Sequence, residues 1–348
     1  MTGTCSPRRG CLLVVAGLLL PPLAAARGQG PIVAPGAQLE KVFDGGMVLT
    51  EGVAAAPDGK IYFSDITFTH IARQQKRPVE AGHIWVFDPA TGGTTIFRSP
   101  SGMSNGLKFD ARGDLIACEG ADLGGRRVIR TDMKTGKSYI LASHFDGRRL
   151  NSPNDLTIDE QGRIYFSDPR YVGDEPIEQP VAAVYRIDPD GSLHRIITDA
   201  GKCNGVCVSP DQKTLYVVSN DNGSTSLSLL PPDAPLLKGR MALLAYDLAP
   251  DGSARFRKVL VDYAPQDGPD GLVCDVEGNL YVAVRAQNRP GICVYSPEGK
   301  ELAYIPTEMP TNVGFGRGPE NQTLYITAGK GLYRIRLTKR GYHLPPAR

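Results

Sequence analysis

One kind of polar side chain recurs along this chain at intervals that suit a shared chemical task. Glu51, Asn105, Asn154, Asn204, Asp270 and Asn312 stand 54, 49, 50, 66 and 42 residues apart. Each opens a short apolar run that ends in a tight turn. All carry an oxygen acceptor, Glu51 and Asp270 as carboxylates and the others as amides. Asn-Gly and Asp-Gly are also common turn pairs, and turn chemistry alone accounts for some of these positions. It accounts poorly for Glu51, and for an acid or amide in every copy. Carboxylate and amide oxygens brought to one point suit a hard cation. Calcium takes about six to eight oxygens at roughly 2.3–2.6 Å and leaves room for water. Zinc would ask for His or Cys, and the five His residues are scattered.

The segments around these residues align with one another: EGVAAAPDGKIYFSD, NGLKFDARGDLIACE, NDLTIDEQGRIYFSD, NGVCVSPDQKTLYVVS, DGLVCDVEGNLYVAV and NVGFGRGPENQTLYITAG. Each reads as strand, turn, strand. A third strand follows (HIWVFDP, RVIRTD, AVYRIDPDG, LLAYDLAPDG, GICVYSPEG, GLYRIRLTKRG), and usually a fourth. Asp-Gly, Glu-Gly and Thr-Gly turns between them suit hairpins. The repeat predicts an all-β, six-bladed β-propeller with four antiparallel strands per blade, over residues 38–340. The last copy runs out after three strands. A spare strand, LEKVFD at 39–44, is predicted to complete that blade and close the ring, removing exposed sheet edges. The polar residue opening each innermost strand then faces the top of the central channel. Three long links, 66–82, 169–182 and 221–241, are expected on that same face, where repeat proteins gather their binding loops.

Composition narrows the remaining possibilities. Gly (40) and Pro (28) favour turns over long helices, and a net charge of +2 without a basic run gives nucleic acid no footprint. Residues 1–26 read as a cleavable targeting segment, with Arg8 and Arg9, an apolar Leu12–Leu20 run and an Ala24-Ala25-Ala26 site. The expectation is an exported protein, periplasmic or secreted. The apolar run is too short to span a bilayer, so no membrane partner is expected after cleavage. Residues 27–37 read as a disordered lead-in. Cys118, Cys203, Cys207, Cys274 and Cys293 are expected as buried apolar side chains, with one bridge permitted by export. A closed ring without a long apolar surface run suits a monomer.

The strings LNSPNDLTIDEQGRIYFSDP (150–169), EG at 51, SNGLKFDARGDLIAC and GPDGLVCDVEGNLYVA resemble the SMP-30/gluconolactonase/luciferin-regenerating family across roughly residues 38–338. The resemblance implies a divalent cation, usually calcium, at the top of the channel, and hydrolysis of sugar lactones or, in some members, organophosphates. It assigns Glu51, Asn154, Asn204 and Asp270 as metal ligands and Asn105 to the substrate. Many gluconolactonase-like members have His-Gly where this chain has Glu119-Gly120, which assigns Glu119 to substrate binding. The activity implied is a calcium-dependent lactonase that activates water against a small-molecule lactone. Asp270 would be the general base, or the nucleophile in a phosphotriesterase-like variant. A metal-dependent organophosphate or aryl-ester hydrolase is the alternative enzyme. A non-catalytic propeller stabilised by calcium is the alternative of another class, and it has no need of two carboxylates in the channel. Of the flanking residues, Pro153 biases Ser152 to extended geometry, and Asp155 either supports a ligand or caps its loop. Asp65 and Asp168 either satisfy loop amides or line the rim. Arg170, Tyr171, Arg285 and His144 are candidates for the mouth, and Trp85 for packing between blades.

Overall fold

A computed structural model describes Met1 and residues 30–224 and 237–346. The six repeats fold as six four-stranded antiparallel sheets. Blade 1 is β2 (Leu49–Ala55), β3 (Ile61–Ile66), β4 (His83–Phe87) and β5 (Thr94–Arg98). Blade 2 is β6 (Ser104–Phe109), β7 (Leu115–Glu119), β8 (Arg127–Thr131) and β9 (Ser138–Ala142), followed by the small hairpin β10 (His144–Phe145) and β11 (Arg148–Arg149). Blade 3 is β12 (Leu156–Ile158), β13 (Ile164–Ser167), β14 (Val184–Ile187) and β15 (Leu193–Ile197). Blade 4 is β16 (Cys203–Val208), β17 (Thr214–Asn220), β18 (Met241–Leu248) and β19 (Ala254–Asp262). Blade 5 is β20 (Pro269–Cys274), β21 (Leu280–Val284), β22 (Gly291–Tyr295) and β23 (Glu301–Pro306). Blade 6 is β24 (Pro310–Phe315), β25 (Thr323–Ala328) and β26 (Gly331–Arg336), with β1 (Glu40–Phe43) as its outermost strand. Glu40 pairs with Arg334 and Lys41 with Tyr333, so the N-terminal strand closes the ring as its spare position implied.

Strand alternation explains why the ring holds. Successive side chains of a strand point to opposite faces, and here each face meets a neighbouring blade. Tyr165 packs with Val206, Leu215 and Leu244 of blade 4. Its neighbours Ile164 and Phe166 pack with Ile116 and Cys118 of blade 2. Each junction between blades carries its own apolar cluster, down to Val53 and Phe63 against Tyr325 and Leu332 where the ring closes. Trp85 joins that junction, 5.0 Å from the Phe43 ring and donating to Asp65 Oδ2 at 3.1 Å. The one α-helix among the described residues is short, α1 (Thr69–Gln74), and lies in the long link after β3.

Both ends of the ring domain extend past the predicted limits. The targeting segment lies outside the described residues. Residues 31–37, expected as disordered, are instead packed: Ile32 is buried among Tyr281, Ile292 and Leu337, and Val33 bridges Leu337. Their two β-branched apolar side chains find an open apolar edge beside β26, which outweighs the Gly and Pro around them. At the other end, residues 341–344 run under the channel. Tyr342 N donates to Cys274 O at 3.2 Å, His343 Nε2 lies 2.9 Å from Gly316 O, and Leu344 packs against the blade 2–blade 3 cluster. A small cavity of about 80 Å³ lies above this tail, with Lys108, Cys207 and Cys274 in its lining.

Candidate functional site

The repeated polar residues reach the channel through a backbone device. In blades 1, 2, 4, 5 and 6 the pairing of the innermost strand slips beside the polar residue, for example between Glu51 and Val53 and between Pro269 and Leu272. Such a bulge turns a side chain off its regular face. Here it aims Glu51, Asn105, Asn204 and Asp270 into the channel mouth. The glycines that follow are not turn residues. A Cβ on Gly52 would stand 2.1 Å from Asn105 O, and one on Gly205 would stand 2.4 Å from Asp270 O. Glycine lets each innermost strand lie directly against the next blade. The third copy departs from this rule, because Asp155 stands where the others have Gly or Val.

The upper cavity has a volume of about 350 Å³ and holds Glu51, Asn105, Asn154, Asn204 and Asp270 in its lining. All five are buried to at least nine-tenths. The Oδ1 atoms of Asn105 and Asn204 are buried without a hydrogen-bond partner. Burial pushes the Glu51 carboxyl well above its ordinary value, and the charge of Asp270 pushes it further. Burial likewise lifts Asp270 to about 6, opposed by Arg285, whose Nη1 lies 3.3 Å from Asp270 Oδ2. Two desolvated carboxylates, Glu51 raised further by the charge of Asp270, stand beside two orphaned amide oxygens, a donor set that a cation would satisfy. Among the described residues no three His, Cys, Asp or Glu side chains converge to hold an ion. A cation here therefore draws on amide oxygens, as the mix of Asn and acid in the repeat requires. The donor set fits a hard, oxygen-seeking ion and offers nothing to a soft one.

Asp155 sits beneath this group. Its Oδ1 accepts Leu156 N at 2.9 Å and its Oδ2 faces Asn312 Nδ2 at 3.5 Å. Its charge raises both Glu51 and Asp270. Asn312 thus serves Asp155 and does not line the upper cavity, although the repeat puts it in the same series.

Glu119 is the one assigned site residue that the structure turns away. Its carboxylate binds Arg127, Oε2 to Nε at 2.6 Å. It closes over Gly102 and Gly125, where a Cβ would meet it. Glu119 is the last residue of β7, held there by Arg127, and the two residues of the link that follows, Gly120 and Ala121, line the cavity in its place. Arg285 and Tyr171 do reach the mouth. The Tyr171 hydroxyl donates to Asn220 O at 3.0 Å and receives Asn204 Nδ2 at 3.3 Å. Burial holds that hydroxyl in its protonated form, well above its ordinary value. His144 is instead exposed on β10. Arg170 points sideways to Glu175, 3.1 Å away. Asp65 and Asp168 satisfy loop amides, Asp65 from Met47 N, and Asp168 from Asn151 N and Ser152 N.

All three long links contribute to the mouth: Ile66 and Phe68 from the first, Tyr171 and Val172 from the second, Asn222 and Ser224 from the described part of the third. Polar contacts with Asp122 and Leu123 lock the first two. Asp122 accepts Thr69 N at 2.7 Å, while Glu175 accepts Leu123 N at 2.7 Å and is held by Arg170. Asp122 and Leu123 both have a φ of 68°, and Phe68 one of 42°, a region side chains enter only when contacts compel them. No local signal in the chain reveals this clamp, because it joins residues 53 apart through backbone amides. The finished cavity is lined by apolar side chains (Leu49, Ile66, Phe68, Met103, Val172) as well as polar ones (Asn204, Asn220, Asn222, Ser224).

Comparison with known proteins places this geometry. The SMP-30/Gluconolactonase/LRE-like region family model matches residues 49–330. The chain is similar to a gluconolactonase of Zymomonas mobilis, 31% identical over 265 residues, covering 70% of this chain and 69% of that one. It is similar to the pentonolactonase XacC of Haloferax volcanii, 26% identical, covering 84% and 85%. Among solved structures, a gluconolactonase from Xanthomonas campestris superposes with a TM-score of 0.70 at 27% identity, covering 88% of this chain and 91% of that one.

Proposed function

The chain belongs to the SMP-30/gluconolactonase/LRE-like family, and from that premise we propose that it is a calcium-dependent lactonase that opens a sugar lactone. Its relatives are named for glucono- and pentonolactones, which supports the reaction class. One observation carries the assignment to this site: Glu51 and Asp270 are both buried in one cavity with the unpartnered Oδ1 atoms of Asn105 and Asn204. A binding surface has no need for two carboxylates that destabilise one another.

Glu51, Asn154, Asn204 and Asp270 would hold the ion. When bound, a divalent cation supplies Lewis acidity, polarising a carbonyl and lowering the pKa of water. Asp270 accepts the proton of the attacking water. Arg285, 3.3 Å from Asp270 Oδ2 and bonded to Pro310 O at 3.0 Å, fixes the direction of that carboxylate. Asn105 donates its amide N–H to the substrate oxygen that gains charge. The Tyr171 hydroxyl, protonated and bonded to Asn220 O, orients the Asn204 amide. The apolar side chains of Phe68, Ile66 and Met103 take the C–H face of the lactone ring, and the polar ones take its hydroxyls. Acid release from glucono-δ-lactone, followed by pH-stat with and without a chelator, tests the reading. Hydrolysis abolished by chelator and restored by calcium supports it, and release at the uncatalysed rate in both conditions refutes it. The targeting-like segment supports export of the mature enzyme, which N-terminal sequencing of the exported chain tests by whether it begins near residue 27.

A further inference from the structure

We infer that Cys207 and Cys274 form a thiol–disulfide modification site that joins blades 4 and 5 on the channel floor. The two Sγ atoms lie 3.3 Å apart. They belong to innermost strands of neighbouring blades, β16 and β20, and both residues are buried. A disulfide needs about 2.05 Å between sulfurs, so each sulfur travels only about 0.6 Å, half of the remaining 1.25 Å. The backbones are already close. Gly205 lies against Asp270 O so tightly that a Cβ there would stand 2.4 Å away, a short way up the same two strands. Cys118, Cys203 and Cys293 have no comparable sulfur partner among the described residues.

The surroundings favour exchange chemistry. Lys108 lines the floor cavity with both cysteines. In the folded pair the shared hydrogen bond lowers the Cys207 thiol and raises the Cys274 thiol well above its ordinary value, so Cys207 is the first to lose its proton. A thiolate at Cys207 attacks one sulfur of a low-molecular-weight disulfide, forming a mixed disulfide and releasing one small thiolate. Cys274 then loses its proton and attacks the Cys207 sulfur, releasing the second. Two protein thiols are oxidised, one small disulfide is reduced to two thiols, and the two protons leave with them. Tyr342 N is bonded to Cys274 O, so the C-terminal tail covers the pair in the finished fold. The exchange therefore belongs to folding, before the tail docks. The bridge fastens the strands whose upper ends carry Asn204 and Asp270.

The test is to unfold the full chain and refold it in parallel in a glutathione buffer rich in oxidised glutathione and in dithiothreitol. Acid quenching, alkylation and peptide mapping follow. The expected result is a linked Cys207–Cys274 peptide in the first preparation only. Its Tm should be higher by roughly 5 °C, from the loss of unfolded-state freedom. That rise should be absent in Cys274→Ala refolded the same way. Both cysteines recovered as alkylated free thiols, or either one linked to a different cysteine, overturns the proposal. Mapping the chain expressed in an oxidising and in a reducing compartment needs no refolding step, and free thiols at both positions in the oxidising preparation overturn it equally.

Discussion

Asp270→Asn is expected to stabilise the cation-free protein while removing its activity. Burial raises Glu51, Asp155 and Asp270 together, so each pays for its charge in lost hydration. For Asp270 the folded value is about 6 against an ordinary 3.8, a rise that persists despite the attraction of Arg285. The gap, about 6 less 3.8, at about 1.4 kcal/mol for each pH unit, amounts to about 3 kcal/mol. The sign follows from linkage. A carboxyl whose folded pKa is raised contributes its stability below the unfolded value, and loses it as pH rises through the folded value. In chelator, the wild-type chain should therefore lose stability between about pH 4 and pH 7, and the Asn variant should lose about 3 kcal/mol less. Scanning calorimetry in EDTA should show the variant melting about 5 °C higher at pH 8, with the gap closing near pH 4. Added calcium should reverse the order, because charge count tunes calcium affinity. Lactone hydrolysis should fall by about 100-fold or more, and saturating calcium should not restore it, because Asn cannot accept the proton. Glu51→Gln removes the same charge without the base, and should recover most of its rate at saturating calcium. A variant that melts no higher than wild type in EDTA at pH 8 would refute the electrostatic argument. Recovery of Asp270→Asn as full as that of Glu51→Gln would reduce Asp270 to a ligand.

Glu119→Gln tests the correction to the sequence assignment: KM for the lactone should be unchanged, because the side chain faces Arg127 and not the cavity. A raised KM without a change in Tm would return Glu119 to the substrate site. Gly106→Ala places a Cβ 2.6 Å from Asp155 Oδ1 and 2.8 Å from Asn154 O, so it should cost about 2 kcal/mol in denaturant titration and weaken calcium binding in calorimetry. Deleting residues 31–45 removes β1 and the Ile32 contacts, exposing the edge of β26. The truncated chain should melt well below the full one and scatter light on heating, and equal melting would show that the ring closes without its N-terminal strand.

Much of the fold could be read from the chain, since a propeller writes itself into sequence at regular intervals. The turns PDGK, EQGR and VEGN mark each hairpin, and β-branched and aromatic residues mark the strands. The missing fourth strand of the last copy was legible as LEKVFD. The five residues of the upper cavity, Glu51, Asn105, Asn154, Asn204 and Asp270, were legible because each sits at the same place in its repeat. Repetition made one position informative about all.

What the chain could not show was the direction of each side chain and the contacts made across the ring. Glu119 and Gly120 are neighbours, and only the contact of Glu119 with Arg127 and the link that starts at Gly120 decide which one faces the cavity. Asn312 is placed like the residues of the upper cavity, yet it serves Asp155 because Asp155 fills the space that glycine leaves open elsewhere. The Asp122–Glu175 clamp and the Cys207–Cys274 contact join segments from different blades. Periodicity, a local property, settled the number of blades and the residue at the head of each. The charge state of those residues came from tertiary structure alone, because desolvation and mutual repulsion exist only once six distant strands enclose the same channel.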